Sequence, residues 1–498
     1  MFCRLYAALT SLSIWDAGSN FLASNIFENV SFQIDTDWKL GFTGRNGRGK
    51  TTFLKLLMGK YEYSGTISSN VSFEYFPYDV PDADFFVIDV IHEISPNAQD
   101  WEIARELSLL NVSDDLLYRS YSTLSKGEQT KALLAALFLK ENSFLLIDEP
   151  TNHLDTLGRK TLSDYLKRKH GFILVSHDRV FLDNCIDHIL VINKTNIEVQ
   201  RGNFSSWWRN KEMQDSFERA ENEKHKKEIS RLTAAAQKTS GWSDRVEKSK
   251  NGSTNSGSKL DKGYVGHKAA KMMKRSKAIE NRQQDLIHEK SKLLKNLETA
   301  ESLKLSPLPY HTSRLLELSD VSIAYGSRAV CSNISFTIEQ GDRIALQGKN
   351  GSGKSSILKL ICGENIPYQG ILRKSERLKI SYVPQSTAGL NGFLSEYIER
   401  NLLDESLFKA ILRKFDFPRE QFEKRLDEFS EGQKKKVLLA KSLCEQAHLY
   451  IWDEPLNYID VLSRMQIENL LLEYKPTILF VEHDSAFCEN IATKTVEL

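Results

Sequence analysis

An α/β fold built twice, with a long helical segment between the copies, is what this sequence predicts, and three observations lead there. A glycine-rich loop, Gly44-Arg45-Asn46-Gly47-Arg48-Gly49-Lys50-Thr51, reappears as Gly348-Lys349-Asn350-Gly351-Ser352-Gly353-Lys354-Ser355. Each loop is followed, in the same order, by a Ser-x-Gly segment, an apolar run ending Asp-Glu-Pro, and a His-Asp pair, with copies offset by 304–306 residues. Between them lies a stretch of charged residues and Ala. Ordered self-similarity of this length marks two domains of one kind.

Within each copy the elements follow from local pattern. Residues 39–43 and 343–347 read as short strands leading into the glycine loops, and 52–58 and 356–361 as the helices after them. Glycines let successive backbone N–H groups curl toward phosphates, and the helix N-terminus adds positive potential. Lys50 and Lys354 are expected to reach the outer phosphates, with Thr51 and Ser355 offering hydroxyls to Mg²⁺. The runs 144–150 and 449–455 are continuous apolar stretches ending in two acids, which suits strands buried on both faces with the acids at the ligand-binding edge. Asp148 and Asp453 are expected to hold Mg²⁺; Glu149 and Glu454 stand where they could polarise an attacking water. His177 and His483 end further apolar strands and can meet the same phosphate.

The segment between copies has another character. Residues 206–248 lack proline and read as helix; 251–258 are loop by composition; helical character returns over 267–305 and ends at Pro307 and Pro309. An antiparallel hairpin or a flexible charged linker would each account for it, and the single Gly/Ser break favours the hairpin. Its expected tip is basic: residues 231–282 hold thirteen Lys or Arg against four acids, with Trp242 and Tyr264 interleaved. One dominant sign with aromatics suits phosphate backbones and base stacking. The resulting expectation is three domains: 1–203, 204–310 and 311–498.

Bulk properties exclude several classes. The formal net charge of +1 gives no global argument for nucleic acid, so that expectation rests on the linker alone. Cys3, Cys185, Cys331, Cys362, Cys444 and Cys488 are scattered without a Cys-x-x-Cys pair, which fits a reducing cytosol over a disulfide or zinc framework. No apolar run approaches the roughly 20 residues of a membrane-spanning helix. Residues 1–15 are mildly apolar but interrupted by Thr10, Ser11 and Ser13, so a secretory leader is not the expectation.

These motifs resemble the ATP-binding cassette family across nearly the whole chain. The segments Leu124-Ser125-Lys126-Gly127-Glu128 and Phe429-Ser430-Glu431-Gly432-Gln433 then look like its signature motif. The resemblance implies ATP and Mg²⁺, hydrolysis, and head-to-tail pairing of the two cassettes within one monomer. One site would join Gly44, Asn46, Gly47, Gly49, Lys50, Thr51, Thr52, Asp148, Glu149 and His177 to Ser430 and Gly432. The other would join Gly348, Asn350, Gly351, Gly353, Lys354, Ser355, Ser356, Tyr325, Gln385, Asp453, Glu454 and His483 to Ser125 and Gly127, with Gln385 also near Mg²⁺.

Two cassettes, no membrane segment and a basic linker are similar to the ABC-F class of ribosome-associated ATPases. The slim layout, with no arm inserted between Lys50 and Leu124, most resembles Lsa-type antibiotic-resistance factors. That resemblance implies a cytoplasmic protein whose hairpin enters the tRNA exit region of the bacterial ribosome and displaces lincosamide, pleuromutilin or streptogramin A drugs. Trp242, Lys259, Leu260, Tyr264, Lys268, Lys271, Lys274 and Arg275 would meet rRNA or tRNA. A general factor for stalled ribosomes and the ATPase subunit of a transporter remain as rival readings. The copies also differ: residues 1–24 match neither the second copy nor the family, Phe21 stands opposite Tyr325, Tyr78 opposite Gln385, and Glu128 replaces the signature Gln. Unequal occupancy of the two sites is the expectation.

Overall fold

The computed structural model describes residues 4–13, 25–152, 154–192, 197–249, 274, 303–326 and 328–498. The chain divides into two compact units, Met1–Trp207 with Ala300–Leu498, and Trp208–Thr299. The first unit holds both sequence copies.

Each copy centres on a sheet of apolar strands. In the first the order is Ser72–Phe76, Ser143–Asp148, Phe172–Val175, Lys39–Thr43, His188–Ile192 and Ile197–Arg201. All neighbours pair in parallel except the last, which returns antiparallel. In the second the order is Ile380–Val383, Leu449–Asp453, Ile478–Val481, Arg343–Gln347 and Lys494–Glu497, all parallel. Leu145, Leu146 and Ile147 are buried, as are Tyr450, Ile451 and Trp452. Apolar residues occupy both faces because a parallel sheet is covered on both sides. The carboxyl ends of these strands therefore gather at one edge, where the glycine loops and acidic pairs emerge.

A three-stranded antiparallel sheet flanks each copy. The orders correspond: Asn25–Asp35, Arg4–Ser13, Ser64–Ser68 in the first, and Arg328–Glu339, Arg314–Tyr325, Tyr368–Lys374 in the second. The atypical N-terminal sequence thus takes the central position held by Arg314–Tyr325. Ladder bonds come from the main chain, which tolerates unlike side chains. Phe21 lies outside the described residues.

Aspartates set two helix starts at matched positions of each copy. Asp155 and Asp460 accept from the backbone N–H of Gly158 (2.8 Å) and Ser463 (3.0 Å), and Asp178 and Asp484 from Phe181 (3.0 Å) and Phe487 (3.1 Å). The Asp of each His-Asp pair is thus a helix cap. It also receives a buried arginine, Arg159 on Asp178 at 3.0 Å and Arg464 on Asp484 at 2.9 Å.

From the first unit into the second runs one helix of 46 residues, Phe204–Ser249, roughly 69 Å long at 1.5 Å per residue. Its first turn belongs to the cassette unit, where Phe204 and Trp207 are buried with ring centroids 5.4 Å apart. Residues 250–273 and 275–302, including the expected tip and return arm, lie outside the described residues. Leu303 and Leu305 are buried in the second cassette's core with Leu443 and Ala447, ahead of the expected boundary at 310. Their apolar side chains carry the chain into that domain before the prolines.

The two copies meet through unequal contacts. Arg45 and Arg48 of the first glycine loop both pair with Asp416 of the second copy, at 3.4 and 3.3 Å. Arg179 pairs with Glu468. At the corresponding positions of the other half stand Lys349, Ser352, Asn111, Ser485 and Ser163, and Asn111 turns to Thr161 of its own copy at 3.4 Å. Asp416→Ala should therefore weaken the interface by about 1 kcal/mol, while Asn111→Ala should not. Spin labels on the two cassettes would show a broadened inter-cassette distance only for Asp416→Ala; equal broadening in both variants would refute the asymmetry.

Candidate functional site

The two glycine loops adopt the same backbone. Gly47 and Gly351 have φ of 81° and 83°, and Gly49 and Gly353, which cap the helices that follow, 86° and 94°. Only glycine takes such values without strain, and loops of this conformation suit successive N–H groups to an anion. Lys50 Nζ donates to the carbonyls of Gly44 (2.7 Å) and Arg45 (3.3 Å), and Lys354 Nζ to those of Gly348 (2.8 Å) and Lys349 (2.9 Å). Each ammonium is held over its own loop. Thr51 and Thr52, like Ser355 and Ser356, open the helices behind the loops.

The acidic pairs stand at the sheet edge as expected. Thr51 Oγ1 donates to Asp148 Oδ2 at 2.8 Å, and Tyr75 donates to the same oxygen at 3.0 Å. Both oxygens of buried Asp453 lack a hydrogen-bond partner. Glu149 and Glu454 have φ of 52° and 46°, a left-handed conformation rare for glutamate. Strain held at matched positions in two copies is a mark of a working site. It is sustained by bonds from their N–H groups to the carbonyls of Val175 (2.9 Å) and Val481 (3.0 Å), which lie just before the histidine segments. His177 Nε2 lies 3.4 Å from Glu149 Oε1, and His483 Nε2 3.6 Å from Glu454 Oε1.

The signature segments are capping boxes. Ser125 Oγ accepts from Glu128 N and Ser430 Oγ from Gln433 N, both at 3.3 Å. Glu128 and Gln433 answer by accepting from the Ser125 and Ser430 N–H at 2.8 and 3.0 Å. Glu and Gln close this box equally well, so the departure at Glu128 leaves the helix start unchanged.

Head-to-tail pairing brings each signature to the other copy's loop. A cavity of about 600 Å³ is lined on one side by Ser125, Gly127 and Asp155, and on the other by Asn350, Gly351, Lys354, Ser355, Gln385, Glu454 and His483. At the other half, Asn46 Nδ2 donates to the Tyr458 carbonyl at 2.7 Å. Gly432 packs so closely here that a Cβ would stand 2.6 Å from that carbonyl and 2.9 Å from Asn46 Nδ2. Tyr325 is half-exposed beside the second loop, its hydroxyl 3.2 Å from Ser356 Oγ. Among the linker candidates, Trp242 lies in the helix Phe204–Ser249 and Lys274 is exposed. Lys259, Leu260, Tyr264, Lys268, Lys271 and Arg275 lie outside the described residues.

Electrostatics separate the two candidate bases. Burial, and then the Asp148 charge, push the Glu149 carboxyl well above the usual carboxylate range. Burial acts on Glu454 too, but His483 and Gln385 beside it hold its carboxyl down at about 2. Burial pushes Asp453 up to about 6. Sequence reasoning missed Tyr75, Asp460, Arg464 and Asn457. Asp460 and Arg464 act across the interface on Lys50 and Glu149, and Asn457 Nδ2 donates to Glu454 Oε2 at 2.6 Å. Asp460 and Asn457 follow the Asp-Glu-Pro run by a few residues, which was the available signal.

Comparison with known proteins agrees with this geometry. A family model described as ABC transporter matches residues 27–152 and 331–457. The Bacillus subtilis ribosome protection protein VmlR is 28% identical over 93% of this chain and 82% of its own length. The Escherichia coli energy-dependent translational throttle protein EttA is 26% identical over 95% of this chain and 89% of its own. Among solved structures, one titled RNase-L Inhibitor shares the fold with a TM-score of 0.60 at 19% identity, covering 97% of this chain and 87% of its own. No helix among the described residues is long and apolar enough to cross a membrane. With two matched cassettes meeting signature to glycine loop, the chain belongs to the ATP-binding cassette family and carries two ABC-type ATPase domains.

Proposed function

We propose that this chain is an ABC-F ATPase that binds the bacterial ribosome in its ATP-bound form and protects it from drugs at the peptidyl-transferase centre. The observation that carries the reading is similarity to VmlR, named a ribosome protection protein, along 93% of the chain, linker included. The basic composition of residues 231–282 supports it. In this reading the domains are 1–203, 204–310 and 311–498, and the linker inserts as a hairpin whose basic residues hold rRNA or tRNA phosphates. Drug range, of the lincosamide, pleuromutilin and streptogramin A kind, would be set at the tip by residues such as Leu260 and Tyr264. Placement in the cytoplasm, as a monomer, belongs to the same proposal. Similarity to EttA favours a second reading, a translation factor acting without drug.

Each ATP would be held by one loop and the opposite signature. Asn46, Lys50, Thr51 and Thr52 face Ser430 and Gly432, and Asn350, Lys354, Ser355 and Ser356 face Ser125 and Gly127. Tyr325 would support the base of the second nucleotide. The donor set fits Mg²⁺: the buried Asp453 carboxylate with Ser355 beside it and Gln385 beside the adjacent Glu454 in one site, and Asp148 with Thr51 in the other. Such an ion would neutralise charge developing on the phosphates. Glu149 and Glu454 would orient the attacking water, with His177 and His483 beside them at the transferred phosphoryl group.

Two outcomes follow. The Glu149→Gln, Glu454→Gln double variant should bind ATP, hydrolyse it at least about 100-fold more slowly, and pellet with bacterial ribosomes only when ATP is present. ATP binding without pelleting would sink both ribosomal readings. Second, a base works only when deprotonated, so a raised pKa means activity that climbs with pH. Turnover left to the first site (Glu454→Gln) should rise between pH 6 and 9, whereas turnover left to the second (Glu149→Gln) should be flat from pH 7 to 9, once Asp453 is ionised. Superimposable profiles would count against the contrast between the two carboxylates.

A further inference from the structure

Beneath the second site lies a lysine that catalysis by the residues above does not use. Lys435 is 1% exposed, on the helix Glu431–Cys444 that the second signature begins. Its Nζ donates to the Pro384 carbonyl at 2.9 Å and reaches the Asp453 carbonyl at 3.5 Å. Pro384 immediately precedes Gln385, and Asp453 begins the acidic pair. One ammonium thus ties together the two chain segments that carry Gln385 and Glu454. A buried ammonium is costly without compensating charge, and the largest favourable influence on Lys435 comes from Glu482. Glu482, 6% exposed, accepts from Leu456 N at 2.7 Å and His483 N at 3.1 Å. It therefore braces the segment after the acidic pair and the histidine itself.

The first copy lacks this arrangement. Thr130 stands where Lys435 does and Ser176 where Glu482 does, so an amine and a carboxyl are replaced together by two hydroxyls. Thr130 Oγ1 bonds back to Lys126 O of its own helix at 3.0 Å, and Ser176 Oγ lies 3.3 Å from Thr151 Oγ1. The same copy has Tyr78 in place of Gln385. Loss of the tether thus accompanies loss of the side chain it would hold. We propose that Lys435 and Glu482 are positioning residues of the second ATP site, holding Gln385, Glu454 and His483 in register for hydrolysis, and that the first site works without such a brace.

This inference rests on the ATPase assignment and on the second site's residues, not on the ribosomal partner, so it is tested on the full chain without ribosomes. Loss of turnover in the Glu149→Gln, Glu454→Gln variant checks the site assignment separately. In a Glu149→Gln chain, Lys435→Thr with Glu482→Ser reproduces the first copy's Thr130 and Ser176. Expected is a fall in kcat of about tenfold or more, with KM and the dissociation constant of a fluorescent ATP analogue changed less than about twofold. Adding Gln385→Ala should then cost little more, because the tether acts through Gln385. If the double swap does not fold, Lys435→Met and Lys435→Arg in the same background serve, the arginine restoring part of the rate. Unchanged kcat, parallel loss of kcat and nucleotide affinity, or a Gln385→Ala effect that multiplies in full would each overturn the proposal.

Discussion

Close approach of one cassette's signature helix to the other's glycine loop is the constraint on which the rest depends. Neither loop is complete alone. In the proposed reading its backbone N–H groups would meet one side of a phosphate, and a capped helix start from the partner copy would supply the other. Gly432 shows how tight this becomes, since no side chain fits between Asn46 and the Tyr458 carbonyl. Whatever separates the cassettes therefore dismantles both sites at once, and whatever binds between them holds the cassettes together.

The halves of that interface are chemically distinct. Ionic contacts from Arg45, Arg48 and Arg179 converge on the first half, whereas neutral or unmatched residues occupy the second. The second half instead invests in a preorganised interior, with Glu454 held ionised by its neighbours and Lys435 buried beneath it. A protein with one clasped half and one braced half can treat its two nucleotides differently without altering the motifs that bind them.

Much of this was legible because motif chemistry is local. A glycine at φ 83°, an apolar strand ending in two acids and a serine followed three residues later by Glu or Gln each state their conformation in a few residues. The N-terminal strand was not legible, because ladder bonds leave little trace in side-chain type. The contribution of the His-Asp aspartates as helix caps was hidden as well, since a cap and a catalytic neighbour look alike in sequence.

The duplication, the order of motifs, the strand-loop-helix units and the basic character of the linker can be read from the residues directly, because each depends on neighbours along the chain. The left-handed backbone at Glu149 and Glu454, the pairing of Asp416 with two arginines, and the burial of Lys435 against the Pro384 carbonyl emerge only once the chain is folded. Those depend on atoms tens to hundreds of residues apart or on the dielectric around a charge, and packing sets both.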